Sequence, residues 1–167
     1  MGYDFHITRA PSWLDSPTHP ISRSEWEALV ASDSELETSA NDWIEAIPER
    51  SIERTYATVW IAHPDRVPFW YDDGEIKAKN ADTPTRRKMV EIALRLDARV
   101  FGDDGEEYGV DGAALPRCPV CGITADVHLT EIRHRFLWFF SYKSESHFCS
   151  EHTPARVLKH RNGPTGT

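Results

Sequence analysis

The sequence predicts an α+β fold, one antiparallel sheet packed with two main helices, followed by a small C-terminal module of a different kind. Three observations lead there. Runs rich in β-branched and aromatic residues recur between 3 and 108, and one pair of them flanks an Asp-Asp-Gly turn. Two segments carry helix-start signals. All three cysteines of the 167 residues fall after position 117. Forty per cent hydrophobic residues and eighteen aromatics supply enough apolar surface for a buried core.

Taken in order, Tyr3 to Thr8 alternate with a period of two, Tyr3, Phe5 and Ile7 on one side and Asp4, His6 and Thr8 on the other, which predicts an edge or half-buried strand. Pro11, Pro17 and Pro20 keep the connection irregular until Ser22 or Ser24, each with a Glu three residues on in capping-box spacing. Trp26, Leu29 and Val30 then give a helix of about three turns its apolar stripe. Residues 34–54 hold a polar string from Ser34 to Asp42, then Trp43, Ile44 and Ile47, and read as a loop with weak local structure. Thr55 to His63 reads as a central strand stopped by Pro64.

Phe69-Trp70-Tyr71 and Glu75 to Lys79 flank Asp72-Asp73-Gly74, a hairpin signal because Asp-Gly tolerates the positive φ of such a turn. Asp82-Thr83-Pro84 opens the clearest helix, with Met89, Ile92, Ala93 and Leu96 as its buried face and Arg86, Arg87, Lys88, Glu91 and Arg95 as a solvated side. Ala98 to Phe101 reads as a strand that turns at Gly102-Asp103-Asp104-Gly105 into Glu106-Glu107-Tyr108. The two Asp-Asp-Gly sequences are turns, since neither continues with the oxygen ligands and final Glu of a calcium loop. Asp111 to Leu115 forms a joint, so the expected domains are an acidic body over 1–112 and a module over 113–167.

Cys118-Pro-Val-Cys121-Gly and Cys149-Ser-Glu-His152 form two pairs at metal-ligand spacing. Three thiolates and an imidazole make a closed tetrahedral set for Zn²⁺, the structural pattern rather than the catalytic one. His147 is an alternative to His152, because Cys-x-His and Cys-x-x-His spacings both reach a metal. Between the pairs, residues 124–131 and 133–142 alternate as a hairpin, and Thr153-Pro154 after the second pair is a helix start. Knuckle, hairpin and ligands at a helix start resemble a treble-clef zinc finger over about forty residues. Arg135 to Tyr142 is apolar on both faces and needs cover, so the module is expected to dock on the body.

Treble clefs also carry the HNH-type nucleases, but His128, His134 and His147 lack the companion residues that resemblance would require, and no Asn lies between Cys121 and His152. His6, His19 and His63 have no partner arrangement suited to nucleophilic catalysis and read as hydrogen-bonded structural residues. No catalytic residue is therefore expected. The net charge of −8 hides a split: residues 1–115 carry 12 Lys/Arg against 23 Asp/Glu, and residues 116–167 carry 7 against 4. No apolar stretch reaches the roughly 18 residues needed to span a bilayer, and the N-terminus lacks a secretory layout, so no membrane role and a cytoplasmic location are expected.

The opening Met1-Gly-Tyr-Asp-Phe-His-Ile-Thr-Arg9, the Ser22-x-x-Glu25-Trp26 helix start, Lys79-Asn-Ala-Asp82 with Lys88-Met89, and Gly102-Asp-Asp-Gly-Glu106 occur together. They resemble a widespread bacterial family of small, largely uncharacterised cytoplasmic proteins, some of whose relatives look like immunity proteins of polymorphic-toxin or contact-delivered effector systems. The likeness covers about residues 1–108, and the metal module departs from the shorter family pattern. It implies a protein that neutralises a cognate toxin by binding it. The contacts expected from exposure are Trp70, Tyr71, Asp72, Asp73, Asp103, Asp104, Glu106 and Glu107, facing a basic surface. The alternative is a zinc-dependent nucleic-acid-binding protein using Arg133, Arg135, Arg156, Lys159, His160 and Arg161, which the acidic body opposes. An HNH-like nuclease comes third.

Overall fold

The computed structural model describes residues 2–46, 53–122, 124–125, 127–134 and 141–152. The chain divides into two compact units, Met1–Ala114 and Leu115–Thr167. The first is α+β. Its strands are β1 (Asp4–Thr8), β2 (Leu36–Ala46), β3 (Glu53–Trp60), β4 (Val67–Asp72), β5 (Glu75–Lys79) and β6 (Arg99–Gly102), and its helices are α1 (Arg23–Ser32) and α2 (Thr83–Arg95). The strands form one antiparallel sheet in the order β2-β3-β4-β5-β1-β6.

The pleat sorts the side chains of β1 between two faces. Phe5 and Ile7 lie beside Ala78 and Ile76 of β5 and Gly102 and Val100 of β6. On that face they join Ile21, Trp26 and Leu29, and Met89, Ile92, Ala93 and Leu96 of the α2 region, in one buried core. Burying each large side chain there contributes about 1.5–3 kcal/mol relative to leaving it in water. The strand is interior rather than at an edge, a correction to the sequence reading: β5 and β6 pair on either side of it, and His6 and Thr8 on the second face are buried as well.

Both helices begin as their sequences dictate. Ser22 and Glu25 form a reciprocal capping box at α1. Asp82 caps α2, its carboxylate accepting from the Thr85 amide at 2.9 Å. The β4–β5 turn places Asp73 at φ 44° and Gly74 at φ 85°, the paired positive values of a two-residue hairpin. A Cβ on Gly74 would also stand 2.6 Å from Pro20 Cβ, so glycine is required there twice over.

Residues 36–46, expected as loop, are the edge strand β2 instead. Pairing with β3 overrides the low strand propensity of its polar residues. Between Thr38 and Trp43 the strand advances five residues while its partner moves back only two, from Thr58 to Tyr56. The surplus forms a bulge in which Ser39 Oγ accepts from the Asp42 amide at 3.0 Å. A bulged, polar edge resists pairing with other chains.

The solvated side expected of α2 is solvated only in part. Arg86 lies over the rings of Phe5 and Tyr108 at 5.6 and 5.4 Å and donates to Gly112 O at 2.7 Å. Lys88 is buried at 4% exposure. Its ammonium donates to Asp33 Oδ2 at 3.1 Å, Glu35 Oε2 at 2.9 Å and Glu91 Oε1 at 3.2 Å, and Arg95 reaches the same Asp33 oxygen at 2.8 Å. Burial works against the charged ammonium, but the three carboxylates outweigh it and hold its pKa above the ordinary value. Lys88 thus ties α2 to the end of α1 and the start of β2. Lys88→Ala is expected to cost about 2 kcal/mol, because the buried Asp33 loses a partner; urea unfolding should show a lower midpoint with an unchanged slope.

On the second face of the sheet His6 is buried between two carboxylates, Nδ1 3.2 Å from Glu75 Oε2 and Nε2 3.1 Å from Asp103 Oδ1. Its ring stacks on Trp13 at 4.4 Å and 10°, and Ser16 Oγ donates to the same Glu75 oxygen at 2.9 Å. A neutral imidazole has one N–H and satisfies one carboxylate; the imidazolium satisfies both. Burial alone would lower the His6 pKa, yet hydrogen bonds and charge from Glu75 and Asp103 raise it above 6.5. A raised folded value means that the stabilisation is complete below pH about 6.5 and is lost as pH rises through the folded pKa. The thermal unfolding midpoint of the wild type should therefore fall as pH rises across that window, and His6→Gln should flatten this part of the profile.

Candidate metal centre

The second unit builds its ligand cluster from two directions. Cys118-Pro-Val-Cys121-Gly122 is a tight knuckle: Gly122 N donates to Cys118 O at 2.9 Å and Ala125 N to Pro116 O at 2.7 Å, and Arg117 bridges Thr124 in antiparallel fashion. Gly122 has φ 73° and open space around it, so backbone freedom and not crowding selects glycine there. The hairpin that follows pairs β7 (Val127–His134) with β8 (Ser141–Phe148). Val127 opposite Phe148 brings the chain back to the knuckle. Cys149 therefore arrives beside the first cysteine pair, and a single 3-10 turn, Ser150–His152, presents the last donor.

The donor atoms of Cys118, Cys121, Cys149 and His152 all lie within 4.8 Å of one another. Cys121 Sγ is 3.5 Å from Cys149 Sγ, and Cys149 Sγ is 3.0 Å from His152 Nδ1. Metal–sulfur bonds of about 2.3 Å in a tetrahedron set neighbouring sulfurs about 3.8 Å apart, so the spacing fits one ion. Burial of Cys118 opposes ionisation, but hydrogen bonds from the Cys149, Cys121 and Val120 amides and the Cys121 side chain prevail and push its thiol down to about 6. A thiolate at neutral pH is the form that binds metal. These four residues are close enough to hold a metal ion.

His147 stands in β8 opposite His128 and outside this group of four, whose imidazole is that of His152. The expected hairpin strands shift: the first runs to His134 and the second starts at Ser141, because β8 must run directly into Cys149. Residues 135–140, which hold most of the aromatic run, and 153–167, which hold the Thr153-Pro154 helix start and Arg156, Lys159, His160 and Arg161, lie outside the described residues.

The residues singled out as partner contacts fall into two groups. Trp70 and Tyr71 point to opposite faces of the sheet, opposite Lys77 and Ile76. Tyr71 donates to Ile21 O at 2.9 Å under the Arg23 guanidinium, and burial raises its phenol pKa. Asp72 pairs with Lys77, while Asp73 is exposed at the turn tip. At the other end of β1, Asp103 accepts from the Asp4 amide at 2.8 Å and faces His6, and Asp104 is exposed. Glu106 accepts from the hydroxyls of Tyr3 and Tyr108, and Glu107 lies 3.8 Å from Arg99. Burial, then the Glu106 hydrogen bond, pushes the Tyr3 phenol up to about 12. Sequence reasoning missed Glu75, Trp13 and Ser16 because sheet register brings Glu75 to His6 and the fold of the 3-10 segment Trp13–Thr18 brings the other two, and no local pattern carries either.

Compared with protein-family models, curated proteins and solved structures, the chain matches none. Among the described residues no helix is long and apolar enough to cross a membrane. Protein purified without chelator is expected to carry one metal ion per chain by elemental analysis. Cys149→Ser should weaken that binding by at least about 100-fold in a competition with a chromogenic chelator.

Proposed function

We propose that the chain is an immunity-type protein, which neutralises a cognate bacterial toxin or effector by direct binding, and that the ion of its Cys₃His centre is zinc. Charge carries this reading: residues 1–115 hold 23 acidic against 12 basic side chains, and Asp73 and Asp104 are exposed on two turns at opposite ends of the interior strand. Such a field accelerates encounter with a basic surface and slows encounter with phosphate backbones. Three thiolates and one imidazole are the donor set of structural zinc, and four protein donors leave a tetrahedral ion no open position for a substrate. Zinc then serves as the cross-link of the second unit. A cytoplasmic location accords with thiolates kept reduced for metal.

The test is a pull-down against the product of the neighbouring upstream gene, with rescue of growth when the two are co-expressed. Binding and rescue are expected, and Asp73→Lys with Asp104→Lys should slow association about tenfold at low salt with little change at high salt. Absence of both binding and rescue overturns the proposal. The seven basic residues after position 115 support the nucleic-acid reading; retention of DNA or RNA that falls steeply with salt, with no protein partner, would favour it instead.

A further inference from the structure

The thiols of the metal centre differ in access. Cys118 and Cys149 are buried, at 1% and 8% exposure, whereas Cys121 is exposed, and its sulfur lies 3.5 Å from that of Cys149. The chain has no cysteine beyond these three, so no outside thiol of its own competes for an oxidised sulfur. Three thiolates against one divalent cation also leave the ligand shell with an excess negative charge, which keeps its sulfurs nucleophilic.

We infer that the centre is a peroxide-sensitive staple, in which Cys121 is the site of oxidation and Cys149 the resolving thiol, so that a disulfide between them releases the ion. This rests on the metal-centre reading above. In the first step the Cys121 thiolate attacks one oxygen of hydrogen peroxide. The S–O bond forms as the O–O bond breaks, hydroxide leaves, and the sulfur is oxidised to a sulfenic acid. In the second step the Cys149 thiolate attacks that sulfur, the S–S bond forms as S–O breaks, and a second hydroxide leaves. Two thiolates and one peroxide thus give one disulfide and two hydroxides, which take up two protons as water.

Closure needs the sulfurs to approach from 3.5 Å to about 2.05 Å. Only Cys118 and His152 then remain as donors, too few to hold the ion. The knuckle and the end of β8 exchange a metal cross-link for a covalent one, and metal loss is coupled to a change in the folded state of the second unit. A reductant would restore the thiols and permit reloading.

The experiment titrates hydrogen peroxide into zinc-loaded full-length protein, with released zinc read by a chromogenic chelator, intact mass and a peptide map. About one zinc released per peroxide consumed, a mass about 2 Da lower, and a Cys121–Cys149 linkage are expected. Dimedone present during the titration should label Cys121 ahead of Cys118 and Cys149. Cys121→His keeps four donors and should hold zinc, releasing it at least about tenfold more slowly; dimedone trapping on the wild type decides the matter if that variant does not fold. Zinc retained under excess peroxide, first labelling at a buried cysteine, or a Cys118–Cys121 linkage overturns the inference and leaves the metal centre standing. Protein that holds no metal before peroxide is added overturns the centre and this inference with it.

Discussion

The interior position of β1 is the constraint on which the first unit depends. Five residues, Asp4–Thr8, pair on one side with β5 and on the other with β6, and their alternation assigns a different chemistry to each face. Phe5 and Ile7 anchor the apolar layer beneath the helices. His6 and Thr8 anchor a polar layer with Glu75, Ser16 and Asp103. A slip of one residue would send His6 into the apolar core and Ile7 into the polar layer, so both layers oppose it together. The sheet's register is therefore fixed from two sides, by burial and by hydrogen bonding.

In the second unit the path of the chain brings four donor residues together. A knuckle supplies two thiols, a hairpin returns the chain, and a short turn adds a thiol and an imidazole. Every step of that path is local in sequence except the hairpin, which carries the second pair back to the first.

Most of this was legible where the signals are local. Capping residues placed α1 and α2, Asp73-Gly74 placed the hairpin, and cysteine spacing singled out the four residues that the structure brings close enough to hold a metal ion. What escaped is non-local. The polar residues 36–46 look like a loop until β3 provides their hydrogen bonds. Lys88 looks like a surface residue because its three carboxylate partners, two of them more than fifty positions away, come together only in the fold. The alternation of Tyr3 to Thr8 gave the faces correctly but not the second neighbour, since an interior strand with a buried polar face reads like a half-exposed one.

The strand order also has a consequence for biosynthesis. β1 is translated before both strands that flank it in the sheet, and its Phe5 pairs with Gly102 near the close of the unit. One edge of it stays open until β5 is made, and the other until nearly a hundred residues have followed it and β6 is made. Nascent chains in that interval are the form most exposed to aggregation and most dependent on chaperones, and the topology ties productive folding to the completion of the sixth strand.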